Sequence, residues 1–547
     1  IRDRDVTGVQ TCALPIFMAK PQLFRSFSLN IEVYSIIYML YTLLAFNCVF
    51  FSKIQNISQS TLFTIGTFFV LWILLTVCGL ILFWKHTVKP LSILFLLINS
   101  GVFYFVKNYH AAIDEEMLRN VLQTNPHETA ELLNFTLLAY ILVLGGIPAF
   151  IISRLNFTET KIFKQRGSLF AICLVLFAAI IVPNSKDVAQ FVRNNKPVKY
   201  LLIPVNYIGA ISSTIKHNLR ANHTFTPIGM DSHFTKYWNN DKPLLIVFVV
   251  GETARAANFS LDGYTRDTNA PLKIYADNII NFENTTSCGT STAVSVPCMF
   301  AKDNRTEFDN GSLDYTENVL DIFKKNGWRT VWLENNSDCK GVCTRVETYS
   351  PCASGAGTCF DSILTQEMQK QLALPVQNTV MVMHQAGSHG PTYYKRYPKE
   401  FSRFSPVCNT EKLNQCSTEE IINTYDNTIL YTSQNLADII ALLQNNYPQY
   451  NSLLIYVSDH GESLGEYNIY LHSAPYSIAP KEQKHIPFFI WAADSSLNAL
   501  KIDKQCLKSQ QNEAISHDNI FHTLLGLGGI SAAEYKQPLD ISSKCKN

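Results

Sequence analysis

Three polar clusters in the second half of this chain each sit at the end of a short apolar run. Gly251-Glu252-Thr253 follows LLIVFVV (244–250), His384 ends TVMVMH (379–384) with His389-Gly390-Pro391 close behind, and Asp459-His460-Gly461-Glu462 closes LLIYVSD (453–459). Runs of this length and composition read as buried strands, and open α/β sheets gather ligands beyond the carboxyl ends of their strands. Carboxylate plus imidazole is a donor set for Zn²⁺ or Mn²⁺ rather than for Ca²⁺ alone. Singly, Glu252 reads as a first-turn helix residue and Asp459 as a cap; three such strand ends in one domain read as a site.

A fourth segment, TTSCGTSTAVSVPCMF (285–300), places hydroxyls between Cys288 and Cys298. It reads as a loop entering a helix, whose amino end attracts anions. A metal-bound hydroxyl at such an end is activated for attack on phosphorus. Spacing alone does not choose among Thr286, Thr290, Ser291, Thr292 and Ser295, and a Ser/Thr-rich turn without chemistry is the plainer reading of the segment by itself.

The elements that must position these residues follow the same pattern. PFFIW (487–491) reads as another strand and 425–443 as an amphipathic helix, giving an α/β sheet with helices on both faces. No internal period of 20–50 residues is present.

The first third of the chain is different. Of 547 residues 47% are hydrophobic and 16% charged, where soluble proteins carry about 25% charged. The excess lies in charge-free stretches at 33–52, 54–84, 90–106, 132–153 and 167–185, each near the ~20 residues that a helix needs to cross hydrocarbon. Residues 18–185 are therefore expected to form a five-helix transmembrane domain. Gly145, Gly146 and Pro148 interrupt the fourth stretch and Pro183 ends the fifth. Lys20 and Arg25, Lys85 and Lys89, and Arg154, Lys161, Lys164 and Arg166 fall in alternate loops, which puts those loops in the cytoplasm. The 107–131 loop, with Asp114, Glu115, Glu116, Glu128 and Glu131, faces the other way, as does everything after about residue 186. Residues 186–242 are expected to be a linker on the membrane surface and 243–547 a catalytic domain outside the cytoplasm.

Ten of the fourteen cysteines lie after residue 280. Neighbours suggest bridges 288–298, 339–343, 352–359 and 408–416, leaving Cys506 with Cys545; such pairs require an oxidising compartment. The balance of 45 Lys+Arg against 44 Asp+Glu argues against a nucleic-acid partner. Residues 1–17 have no signal-peptide core and differ in character from the segment that begins at Met18, so they are expected to be a non-native leader with Met18 as the true start.

Taken together, GETAR (251–255), SCGTSTAVSVPCMF (287–300), NNSD (335–338), HQAGSHGP (384–391) and SDHGESLGE (458–466), behind five spans, resemble the lipid A phosphoethanolamine transferases, the family that includes the mobile colistin-resistance enzymes. The resemblance runs from about Met18 to the C-terminus. It implies an alkaline phosphatase/sulfatase-like catalytic domain in the periplasm, anchored in the inner membrane of a Gram-negative bacterium. It also implies one tightly held Zn²⁺, with a second left open, bound by Glu252, Thr292, Asp459 and His460. Thr292 would be the nucleophile that takes phosphoethanolamine from phosphatidylethanolamine and passes it to a lipid A phosphate, conferring polymyxin resistance. Asn120, Thr124, Glu128, Ser337, Lys340, His389 and His472 would bind the substrate, with the first three on one helical face. His384, His485, His517 and His522 are expected to be structural. A phosphoglycerol transferase or a core-sugar phosphoethanolamine transferase of the same superfamily is the alternative, and a monomer is expected.

Overall fold

The computed structural model describes residues 28–123, 129, 132–158, 162–220, 224–235, 242–352 and 359–546. The expected leader, Thr124 and Glu128 lie outside them.

A seven-stranded mixed sheet organises the C-terminal part. Its spatial order is Ile279–Asn281, Phe488–Ala492, Asn451–Ser458, Leu244–Gly251, Thr379–His384, Arg329–Glu334 and Glu347–Tyr349. Phe488–Ala492 runs antiparallel to both neighbours, and the other pairs are parallel. The apolar run 244–250 is continuous because both faces of the sheet are covered. Leu244, Ile246, Phe248 and Val250 enter one core, while Leu245, Val247 and Val249 enter the other. The second core is closed by the helix Thr418–Asn446, which begins at a Ser417/Glu420 capping box. Arg329–Glu334, next to the edge strand Glu347–Tyr349, is an interior strand that the apolar runs of the sequence did not single out.

The five cysteine pairs form as the sequence suggested: 288–298, 339–343, 352–359, 408–416 and 506–545.

Four helices in the N-terminal part, Thr61–Leu82, Val88–Tyr109, Phe135–Arg154 and Lys164–Ile181, are long and apolar enough to cross a membrane; a fifth span results if Ile31–Phe46 and Cys48–Ser58, bent by 69°, count as one. The bend interrupts the stretch 33–52, which reads as a straight helix in sequence. Its cause is Asn47, fully buried, whose amide donates to the Ile203 carbonyl (2.9 Å) and whose carbonyl accepts from the Ile203 N–H (2.9 Å). The second helix likewise starts at Thr61 rather than 54, because Gln59 adopts φ 51° and Ser60 caps the new helix through Phe63 N.

In the fourth span Pro148 cannot donate to the Leu144 carbonyl, and the hydroxyl of Tyr41 takes that place at 2.8 Å. The backbone there widens to a π-turn over Ile141–Gly146. A Cβ on Gly145 would meet Ser100 Oγ at 2.6 Å, so glycine is what lets this helix close on Val88–Tyr109.

Between membrane helices and sheet lie the helices Ser185–Asn194 and Val205–Arg220. Val198, Leu202, Ile203 and Tyr207 of this region pack into the apolar core of the membrane helices, while Val205, Ile208, Ile211 and Ile215 stay exposed. The short helix Glu115–Gln123 descends from the 107–131 loop and packs against Thr292–Phe300.

Candidate active site

The carboxyl ends of four adjacent parallel strands meet around one point. Gly251 leads into Glu252 and Ser458 into Asp459 and His460, and the two turns are joined by a hydrogen bond from Asp459 N to the Gly251 carbonyl (2.8 Å). His384 ends its strand, and Asn335 N bonds to its carbonyl at 3.0 Å. Opposite them, Thr292 opens the helix Thr292–Phe300 behind the N-cap residue Ser291.

Thr292 Oγ1 donates to Glu252 Oε2 at 3.0 Å and lies 3.3 Å from His460 Nε2. His460 Nε2 is in turn 3.5 Å from Glu252 Oε1 and 3.3 Å from Asp459 Oδ2. Ligand atoms of Glu252, Asp459 and His460 all fall within 4.8 Å of one another, a grouping able to hold a metal ion. All three side chains are buried. Asp459 Oδ1 accepts from Thr253 N (3.0 Å) and His460 N (2.7 Å), whereas Oδ2 is buried with no hydrogen-bond partner. An orphaned carboxylate oxygen beside a second carboxylate, an imidazole and a hydroxyl fits a divalent cation of the zinc type.

The electrostatics agree. Burial and the neighbouring Glu252 push the Asp459 carboxyl up to about 7. Burial also opposes charge on Glu252, but His460, His389 and His472 outweigh it and hold that carboxyl well below its usual range. His460 is lowered by burial and raised further by Asp459 and Glu252, for a net rise.

The turn at Glu252 is made by a strained residue. Thr253 adopts φ 58°, uncommon for a β-branched side chain. It is held by its N–H to Asp459, by the Tyr425 hydroxyl on its carbonyl (2.6 Å) and by its own hydroxyl on Glu252. Gly387, at φ 49°, passes so close that a Cβ would meet the Glu252 carbonyl at 2.6 Å.

Of the other residues read from sequence, His472 and His389 join the cluster: the ring centroids are 4.4 Å apart for His460 and His472 and 5.4 Å for His389 and His472. Lys340, buried and at φ 50°, donates from Nζ to Ser337 Oγ at 2.9 Å. Asn120 Nδ2 reaches Ser473 Oγ at 3.4 Å, which brings the Glu115–Gln123 helix to the residue after His472.

Several contributors were not singled out in sequence. Asn336, inside the NNSD motif, donates to Glu252 Oε2 at 2.7 Å and to the Gln385 carbonyl at 2.9 Å. Glu462, inside SDHGE, lies 2.9 Å from His472 Nδ1 and accepts from the Tyr393 hydroxyl. Burial pushes Glu462 up to about 8 and His472 down to about 3. His384, expected to be structural, stands 3.1 Å from Glu334 and 3.3 Å from Asn336, behind Glu252. The motif strings held Asn336 and Glu462, but nothing in spacing told their roles.

Comparison with known proteins decides the family. Residues 245–530 match the sulfatase family and 69–219 the family described as phosphoethanolamine transferase EptA/EptB. Phosphoethanolamine transferase EptA of Escherichia coli K12 is 35% identical over 542 residues, covering 95% of this chain and 98% of that one. The chain belongs to the phosphoethanolamine transferases. The phosphatidylethanolamine transferase Mcr-1 of Escherichia coli is 35% identical over 515 residues, 90% of this chain and 93% of that protein. Among solved structures, the integral membrane lipooligosaccharide phosphoethanolamine transferase A of Neisseria meningitidis superposes with a TM-score of 0.91 at 36% identity over 95% of this chain and all of that one. This phosphoethanolamine transferase is thus an integral membrane enzyme with a sulfatase-like periplasmic domain.

Proposed function

We propose that this enzyme transfers phosphoethanolamine from phosphatidylethanolamine to a phosphate of lipid A through a covalent intermediate on Thr292. The observation that carries the reading is the placement of Thr292 Oγ1, at the amino end of a helix, 3.0 Å from Glu252 and 3.3 Å from His460 within the cation-holding cluster. The names of its relatives support the transferred group, and one of them is a phosphatidylethanolamine transferase.

Glu252, Thr292, Asp459 and His460 would hold a zinc ion. Such an ion supplies Lewis-acid charge that favours the deprotonated hydroxyl, as it lowers the pKa of water from ~15.7 to ~7. Thr292 Oγ then attacks the donor phosphorus, the bond from phosphorus to the glycerol oxygen breaks, and diacylglycerol departs with a proton. A neutral His389 or His472 takes up the Thr292 proton and passes it to the departing alkoxide; Glu462, beside Nδ1 of His472, leaves Nε2 of that ring to face the reacting group. Lys340 and the backbone N–H groups at the start of Thr292–Phe300 offset charge on the phosphoryl oxygens. In the second half a lipid A phosphate oxygen attacks the phosphoethanolamine-threonine and releases the Thr292 oxygen. Asn120, with Thr124 and Glu128 of the same loop, would contact the ethanolamine headgroup. Anchoring the domain keeps both lipid substrates at high effective concentration.

The product lowers the negative charge of the outer surface and so weakens attraction of cationic polymyxins. Mass spectrometry of lipid A from a susceptible Gram-negative host tests the reading. Expression of the chain should add one phosphoethanolamine and raise polymyxin tolerance, and Thr292→Ala should abolish both. Addition of phosphoglycerol, or modification of the core sugars with lipid A unchanged, would overturn it.

A further inference from the structure

His472 sits on an unusually contorted piece of chain. Four of the nine non-glycine residues with positive φ among the described residues fall within seven positions: Tyr467 (55°), Asn468 (59°), Leu471 (65°) and Ser473 (66°). Left-handed backbone of this kind persists only where surroundings over-determine it. Part of what holds this turn lies within the periplasmic domain: Gln483 donates to the Leu471 carbonyl (3.0 Å), Ser473 N donates to the Thr290 carbonyl (2.7 Å), and Ser463–Leu464 pairs with Tyr470–Leu471.

A further hold comes from the membrane domain. Leu471, half-buried, packs against Tyr104, Tyr109 and Leu137, a small apolar group at the end of the helix Val88–Tyr109 and the start of the fourth span. On its other side its Cδ2 lies where a Cβ on Gly390, next to His389, would come within 2.7 Å. Two residues on, Ser473 Oγ accepts from Asn120. One leucine thus touches the membrane helices and lies against the loop of His389, and it directly precedes His472.

We propose that Leu471 is a positioning residue through which docking of the periplasmic domain on Tyr104, Tyr109 and Leu137 sets the spacing of His472 and His389. This rests on the proposed transferase function, in which both imidazoles face the transferred group. It makes full competence of the site conditional on contact between the two domains, so that an undocked domain holds a slack histidine pair.

The test uses the full-length enzyme in vesicles of phosphatidylethanolamine with lipid A as acceptor. Leu471→Ala and Tyr109→Ala should each lower kcat about tenfold, since misplacement of a reacting group on the ångström scale costs one to two orders of magnitude, with KM for the donor changed less than twofold. The double variant should be no slower than the slower single one, because the two changes break one contact. Leu471→Met, which refills the seat, should restore near wild-type turnover. Should Leu471→Ala fail to fold, Leu137→Ala opens the same seat from the membrane side and should lower kcat severalfold with unchanged KM. Losses that multiply in the double variant, or single variants indistinguishable from wild type, overturn the positioning role and leave the transferase function standing. Absence of transfer by the wild type overturns the transferase function itself.

Discussion

His517 donates from Nε2 to the backbone carbonyl of Ser458, 3.0 Å away. Its Nδ1 accepts from Cys288 N at 3.1 Å, so one neutral imidazole ties the loop that leads to Thr292 to the strand that ends in Asp459 and His460.

That tie is available only while Nδ1 has no proton, and burial lowers the His517 imidazole to about 4. An unfolded histidine titrates near 6.5. Between these values the unfolded chain binds the extra proton and the folded one does not, so stability falls as pH drops through the window and is fully present above it. The expected loss on reaching pH 4 is on the order of 3 kcal/mol. Thermal unfolding at pH 7.5, 6 and 4.5 should show a falling midpoint for wild type. His517→Gln should start lower and depend less on pH; an equal slope in both proteins would mean that other groups carry it.

Much of the catalytic domain was legible because its signals are local. Continuous apolar runs mark doubly covered strands, and the carboxylates and imidazole of Glu252, Asp459 and His460 follow them directly, so their convergence needs only the rule that parallel strands present their ends together. Cysteine spacing likewise named all five bridges. What stayed hidden depends on partners far along the chain. Asn47 breaks its helix because of Ile203, 156 residues later, and His517 acquires its role from Ser458 and Cys288. Thr292 could not be told from four other hydroxyls by spacing; the family resemblance supplied it, and the structure then places it against Glu252. Asn336 and Glu462 are polar residues beside other polar residues, and only the fold shows which atoms they meet.

A second prediction concerns the fifth span, Lys164–Ile181, of which only 11% is buried. It is fastened by Arg166, which bonds to Glu32 at 2.9 Å and to the carbonyls of Leu80 (3.1 Å) and Phe83 (2.9 Å), with its guanidinium stacked on Trp84. Removing one member of a buried ion pair costs about 3–5 kcal/mol. Glu32→Gln and Arg166→Lys should each lower the thermal midpoint of detergent-solubilised protein, the latter because an ammonium cannot reproduce the planar fork. A midpoint unchanged in Arg166→Lys would show that charge alone suffices.

The disulfides should be unequal. In the chain-entropy account a bridge stabilises by the loop that it closes in the unfolded state. Cys506–Cys545 spans 39 residues and Cys339–Cys343 only 4, which gives about 4 kcal/mol against about 2 kcal/mol. Replacing each pair by alanines and comparing denaturant midpoints checks the order. Equal losses would point to native-state packing instead, for which Cys339, Cys343, Cys506 and Cys545 all border the same core.

The last prediction turns on the cost of leaving Glu252 and Asp459 side by side without a cation. Both are fully buried, Asp459 Oδ2 has no hydrogen-bond partner, and burial with repulsion from Glu252 already pushes the Asp459 carboxyl up to about 7. A bound cation stabilises the fold by about 2.7 kcal/mol at a hundredfold excess over its dissociation constant. Stripping metal with a chelator should therefore lower the thermal midpoint as well as stop turnover, and zinc should restore both. Asp459→Asn separates the two effects. It removes a ligand, so the variant should be inactive and insensitive to zinc. It also removes the buried repulsion, so in chelator it should unfold at a higher temperature than wild type, by an amount corresponding to about 1–3 kcal/mol. If metal-free Asp459→Asn melts below metal-free wild type, the carboxylates are not the strained pair that the geometry describes, and the cluster is held together by hydrogen bonds alone.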